Sequence, residues 1–285
     1  MFFSLASLAV LLPAVLGQIV DVPLEIESIE ALFTSAQLVP ELLPTFTPTW
    51  GLHFSFDNST DNSAGQSLTV AQVATPPTLH LYTTNTTTAS PFYTLMMVDA
   101  DVIGTDESVG QTRHWLVNDV SVSGTGETLA VNIANATAIT DYAGPFPAAG
   151  SGPHRYCLFL YAQPSTFQAP SDLSTPGTPL ANNWDFAGYV NSTGLGPLVA
   201  GTFYIVEQGT ATASIPAIPT VVSSTLSLAK ASAASAAGMG TQTGSAASPS
   251  GSSGSGSGSH SGAMSNAVSA VGVMAVAGLL GAMLL

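Results

Sequence analysis

The chain has 285 residues, of which 17 are acidic and three basic, giving a formal net charge of −14. All the acids lie between Asp21 and Glu207, where only Arg113 and Arg155 oppose them, and a surface so charged excludes nucleic acid and anionic membranes as partners. Cys157 is the single cysteine, so an internal disulfide is excluded and the fold must hold through its core alone.

In chain order, Met1 to Gly17 (MFFSLASLAVLLPAVLG) is an apolar run of signal-peptide length ending in small residues, which predicts a secretory signal over 1–17. Val22, Ile26, Ile29 and Phe33 recur at helical spacing from Pro23 onward and predict a helix. Residues 51–56, 67–73 and 78–82 alternate apolar and polar and read as half-buried strands. Residues 92–98, 114–120, 156–162 and 200–207 are more continuously apolar, as central strands are. A second short helix is expected over 184–189. The long connections around 100–113 and 137–153 are where function would sit. About 195 residues thus form one β-dominated domain, 18–210, large enough for a single well-buried core.

From 211 to 262 the composition turns to Ala, Ser, Gly, Thr and Pro, with Lys230 as the only charge, which predicts a disordered stalk. An uncharged apolar run, 267–285, closes the chain. Small residues, a polar spacer and this tail follow in the order of a signal for glycosylphosphatidylinositol (GPI) attachment, assigned to 263–285; the alternative reading of the run is an uncleaved tail anchor. Sequons at Asn58, Asn85, Asn135 and Asn191 fit the same secretory route and predict exposed, glycosylated loops. Together these features place the protein outside the cell, tethered to the plasma membrane or cell wall.

Three stretches combine polar chemistry with strand ends. Met97-Val-Asp99-Ala-Asp101 sets two carboxylates where a strand finishes, and Arg113-His114-Trp115 opens the next. The third, Gly150-Ser-Gly-Pro-His154-Arg155-Tyr156, is a glycine-rich loop entering another strand. Asp99 also reads as a turn residue, and the two histidines as satisfied core residues. Metal ligation by Asp99, Asp101, His114 and His154 lacks any close ligand spacing, so neither a metal nor another cofactor is assigned. No Gly-x-Ser-x-Gly elbow or other activated Ser or Cys is legible, so no catalytic residue is assigned and the protein is read as a non-enzyme. Cys157, inside YCLFLY, reads as a buried small hydrophobe.

In order, YTLMMVDAD, RHWLVNDV, YAGPFPAAGSGPHRYCLFLY and VAGTFYIVE resemble the phosphatidylethanolamine-binding protein family over about Phe46 to Glu207. The resemblance implies a mainly β single domain: a large central sheet, a smaller sheet and short peripheral helices. It also implies a pocket for a phospholipid head group or other small anion, with Asp99, His114, His154 and Tyr156 lining it and Asp101, Gly144 and Pro147 shaping its rim. Arg155 lies on the opposite strand face from His154 and Tyr156 and reads as a brace. The family's usual Asp-Pro-Asp-x-Pro is Asp99-Ala-Asp101-Val-Ile103 here; the missing prolines predict a looser or reshaped rim. Phe146 is bulky in this loop and is expected to narrow the entrance. The leading expectation is a tethered, non-enzymatic binding protein. The alternative is an inhibitor of a secreted peptidase or other enzyme, as the family's yeast member is of carboxypeptidase Y.

Overall fold

Asp21 starts the first helix: its Oδ1 accepts from the Leu24 amide at 3.2 Å, and Pro23 needs no donor partner in the first turn. The helix, α1 (Val22–Ser35), buries Val22, Ile29 and Phe33. Phe33 stacks on Phe46 at 3.8 Å between centroids and meets Phe203 edge-on at 5.3 Å, which fastens the helix to the sheet below. A short turn, α2 (Leu38–Glu41), follows. The computed structural model describes residues 21–57, 61–62, 64–84, 90–221 and 226. The expected signal peptide, most of the expected stalk, the attachment signal and the sequons Asn58 and Asn85 lie outside the described residues.

Ten strands follow: β1 (Gly51–Ser55), β2 (Gln66–Leu68), β3 (Thr78–Tyr82), β4 (Phe92–Asp99), β5 (Gln111–Ser123), β6 (Thr128–Asn132), β7 (Thr137–Thr140), β8 (His154–Gln163), β9 (Ala181–Trp184) and β10 (Leu198–Val206). A larger sheet runs β2-β10-β8-β4-β5, with β7 and β9 also paired to β5; a smaller one runs β1-β3-β6 and reaches the far end of β5 at 121–123. The thirteen residues of β5 therefore carry the chain from one sheet into the other. One apolar core, with Leu52, Leu95, Trp115, Leu158 and Tyr204, fills the space between the sheets. A second, with Ile29, Phe33, Met96, Phe159 and Phe186, lies under α1 and α3 (Phe186–Ser192). The expected mainly β domain of two unequal sheets with short peripheral helices is the fold observed.

Three sequence expectations are corrected. The strand expected over 67–73 is only β2, three residues paired parallel to β10; the rest is a turn fixed by Thr69 and Gln72, whose side chains bond each other at 2.9 Å. The helix expected over 184–189 begins after a short strand, because Asp185 caps α3 through the Gly188 amide at 2.7 Å. Residues 211–221, assigned by composition to the stalk, lie on the domain. Thr212 bonds Gly150 in backbone fashion at 2.9 Å, Ile218 packs on the second core and the Ser35 hydroxyl donates to the Pro219 carbonyl.

Candidate functional site

Strand alternation alone would set His114 and Trp115 on opposite faces. The register prevents this: Met97 pairs with Trp115 and Val98 with Arg113, leaving His114 as the extra residue of a β-bulge. A bulge re-aims one side chain at the cost of a ladder position. Here it turns the His114 ring edge-on to Tyr156, 5.3 Å between centroids. On β8, His154 and Tyr156 share the inter-sheet face with Tyr204; Tyr156 stacks between them, 6.2 Å from His154 and 5.9 Å from Tyr204. Asp99, at the end of β4, stands opposite Tyr156 in the register. The structure thus brings Asp99, His114, His154 and Tyr156 together at one end of the sheet.

The hydrogen bonds bias protonation. His154 Nδ1 lies 3.0 Å from Asp99 Oδ2, and its Nε2 lies 2.8 Å from Ser151 Oγ and 3.4 Å from Asp101 Oδ1. Burial depresses the His154 pKa, but the bond to and charge of Asp99, helped by Asp101, outweigh it and leave the pKa above its ordinary value. His114 is the converse. Burial lowers its pKa, against the upward pull of the 2.7 Å bond from Nδ1 to the Ala143 carbonyl. That carbonyl only accepts, so the Nδ1 proton is fixed and a neutral His114 keeps Nε2 as an acceptor. Burial, then Asp99, holds the Tyr156 hydroxyl well above the usual tyrosine range, as a neutral donor. The site therefore sets one imidazole with a raised pKa and one with a lowered pKa beside Asp99 and Asp101.

Of the residues expected at the rim, Asp101 stands beside His154, and Gly144 and Pro147 lie in the loop 143–153. Gly144 has a reason to be glycine: an added Cβ would sit 2.8 Å from the Val73 carbonyl, which also accepts from Tyr142 Oη at 2.8 Å. Pro147 is buried beside it. Phe146, expected to narrow the entrance, is 72% exposed and points to solvent. The loop without its prolines is held by Arg155 instead. The fully buried guanidinium donates to Ala100 O at 2.6 Å, Val102 O at 3.0 Å and Asp101 O at 3.1 Å, and from behind to Ala36 O and Glu41 Oε2, both at 2.8 Å.

Sequence reasoning missed Ser151, Tyr142 and Tyr204. Ser151 is flagged by no motif, and the tyrosines come near the pocket only through tertiary packing. Of the sequons within the described residues, Asn135 is exposed in a turn. Asn191 is also exposed, but on the last turn of α3 rather than a loop, with Thr193 of its triplet buried and bonded to Tyr189 O at 2.8 Å. Cys157 is buried, and that burial raises its thiol pKa. A separate cleft of about 470 Å³ lies by Glu41, Glu107 and Asp185; it contains none of the pocket residues, and Arg155 and the α3 cap occupy its carboxylates. Among the described residues no group of three or more His, Cys, Asp or Glu could hold a metal ion, and no helix is long and apolar enough to cross a membrane.

Residues 58–204 match the family model described as phosphatidylethanolamine-binding protein. Over 182 residues the chain is 32% identical to a 26 kDa secreted antigen of Toxocara canis, covering 60% of this chain and 62% of that one. It is 30% identical over 134 residues to the carboxypeptidase Y inhibitor of Saccharomyces cerevisiae, covering 40% of this chain and 59% of the inhibitor. The chain thus spans less than two thirds of either relative. Its fold is similar to that in the crystal structure of carboxypeptidase Y inhibitor complexed with the cognate proteinase, with a TM-score of 0.53 and 20% identity over 66% of this chain and 97% of that one.

Proposed function

The chain belongs to the phosphatidylethanolamine-binding protein family, and from that premise we propose that it is an extracellular binding protein whose pocket accommodates a phospholipid head group or another small anion. The observation that carries this reading is His154: a largely buried imidazole whose cation is favoured by Asp99, with Nε2 facing a hydroxyl that a ligand oxygen could replace. Tyr156 and His114 complete the lining; Asp101, Gly144 and Pro147 shape the rim. The expected signal peptide, stalk and GPI signal add that the domain is exported, glycosylated and tethered to the cell surface, and a relative described as secreted supports export.

Inorganic phosphate and phosphorylethanolamine are expected to raise the melting temperature by mass action. His154→Ala should remove that shift, which scanning fluorimetry reads directly. Binding should tighten as pH falls, because His114 then gains its proton and adds a second cation. Absence of a shift with every phosphate compound, from pH 8 to pH 5, would overturn the reading.

The relatives that inhibit carboxypeptidase Y favour one second reading, inhibition of a secreted peptidase through protein contact. A serine carboxypeptidase that keeps its full rate in stoichiometric excess of this protein would be excluded as a target.

A further inference from the structure

Ser151, His154 and Asp99 stand in a line. Ser151 Oγ lies 2.8 Å from His154 Nε2, and His154 Nδ1 lies 3.0 Å from Asp99 Oδ2. Each link is within hydrogen-bond reach, and the order hydroxyl, imidazole, carboxylate is the one by which a serine is made nucleophilic. Asp99 is fixed in turn, accepting the Asp101 amide on its other oxygen at 2.7 Å. Ser151 is half-buried, on a loop between Gly150 (φ +81°) and Gly152 (φ +109°), conformations that only glycine adopts without strain. From this geometry we propose that Ser151 is an activated nucleophile and that the pocket hydrolyses small carboxylic esters, an activity that the binding reading does not include.

The step balances with water as the only co-reactant. Ser151 Oγ forms a bond to the ester carbonyl carbon while its proton passes to His154 Nε2. The bond from that carbon to the leaving oxygen then breaks, and the same proton goes to the departing alcohol. Water, deprotonated by His154, attacks the acyl-serine, releases the acid and returns the proton to Ser151. Asp99 touches no reacting atom; it keeps the Nδ1 proton in place and stabilises the imidazolium formed in each half.

Two neighbouring amides are already spent, Gly150 N on Gln208 O at 2.8 Å and Ser151 N on Ala148 O at 3.0 Å. The amide of Gly152, which follows the nucleophile, makes no hydrogen bond among the described residues and is the donor left for a developing oxyanion. Space beyond it is limited. A Cβ on Gly152 would collide with Ile215, and Val102 stands 3.4 Å from the same point, so this side of the loop is closely packed and small esters are the substrates to try.

Protonation sets the working range. In the resting site the Ser151 proton has two acceptors, Ala148 O at 2.7 Å and His154 Nε2 at 2.8 Å. Only a neutral His154 can take it. Asp99 and Asp101 on and after β4 stabilise the cation, Arg155 and His114 oppose it, and Tyr156 stacks on the ring as a neutral phenol. Hydrolysis should therefore rise with pH as His154 loses its proton, the reverse of the expected trend in phosphate binding.

The test uses the purified full-length protein with a fluorophosphonate and, separately, p-nitrophenyl acetate. Peptide mapping should place a single phosphonyl adduct on Ser151. Ser151→Ala should lower ester hydrolysis roughly 100-fold or more, the usual weight of a general-base-activated step. Ser174→Ala, an exposed serine elsewhere, should not. Adduct formation on the wild-type chain decides the matter even if the variant does not fold. An unlabelled Ser151, or a folded Ser151→Ala variant with the wild-type rate, overturns the proposal while leaving the phosphate-dependent melting shift to be judged separately.

Discussion

Arg155 shows how much one side chain can organise. Its guanidinium is wholly buried and bonded to four backbone carbonyls, with Glu41 at 2.8 Å and Glu107 at 3.5 Å. Removing one partner of a buried ionic network leaves the others desolvated and unpaired, at a cost of about 3–5 kcal/mol. Arg155→Ala should lose that much in urea denaturation and also free the Asp101 rim; a loss under about 1 kcal/mol would show that water replaces the guanidinium without penalty. The brace was legible in the sequence, because strand alternation puts Arg155 opposite His154 and Tyr156. His114 was legible as a residue but not as a geometry: only the skipped register at the bulge turns it toward Tyr156. Ser151 was not legible at all. Its partner is three residues away on a turn whose shape depends on two positive-φ glycines, and such turns leave no periodic signal.

Among the elements, the link between β4 and β5 replaces two expected prolines with electrostatics, and that makes it sensitive to pH. Burial pushes Glu107 up to about 7; Gln111 and the more distant Arg155 only partly offset it, and Glu41 adds to it. The sign follows. Glu107 holds its proton in the fold but releases it near 4.5 when unfolded, so its contribution is full below pH 4.5 and disappears as pH rises to about 7. His154, raised above its ordinary 6.5, adds a decline that starts near 6.5, whereas His114, lowered, makes stability rise with pH up to 6.5. Glu107→Gln, which keeps a neutral acceptor for Gln111, should flatten the fall in melting temperature between pH 4.5 and 7. An unchanged slope would assign the effect to other groups. Strand recognition divides along similar lines. The apolar central strands β4, β8 and β10 were readable because burial on both faces leaves near-continuous hydrophobic runs. The short edge pieces β7 and β9 were not, since four-residue segments with exposed positions resemble the loops beside them.

For the whole molecule, the segment leaving the sheet couples the pocket to the proposed tether. Residues 207–219 pass the rim loop at Gly150 and Gly152 and then reach the end of α1 at Ser35. Residues 211–221 therefore belong to the domain, so the proposed stalk would begin after about residue 221, and Thr212 and Ile215 lie against the loop 143–153. A domain of this charge is repelled by anionic lipid, so any retention at a membrane would come from an attached lipid or the apolar tail rather than from its surface. If a GPI anchor supplies it, phosphatidylinositol-specific phospholipase C should shift the protein from the detergent to the aqueous phase, and deletion of 263–285 should deliver it to the medium with an unchanged melting temperature. A protein that stays in the detergent phase after complete digestion would be held by its apolar tail instead. Truncation at 208, unlike truncation at 221, should weaken phosphate binding, because it removes Thr212 and Ile215 from the loop that holds Ser151 against His154.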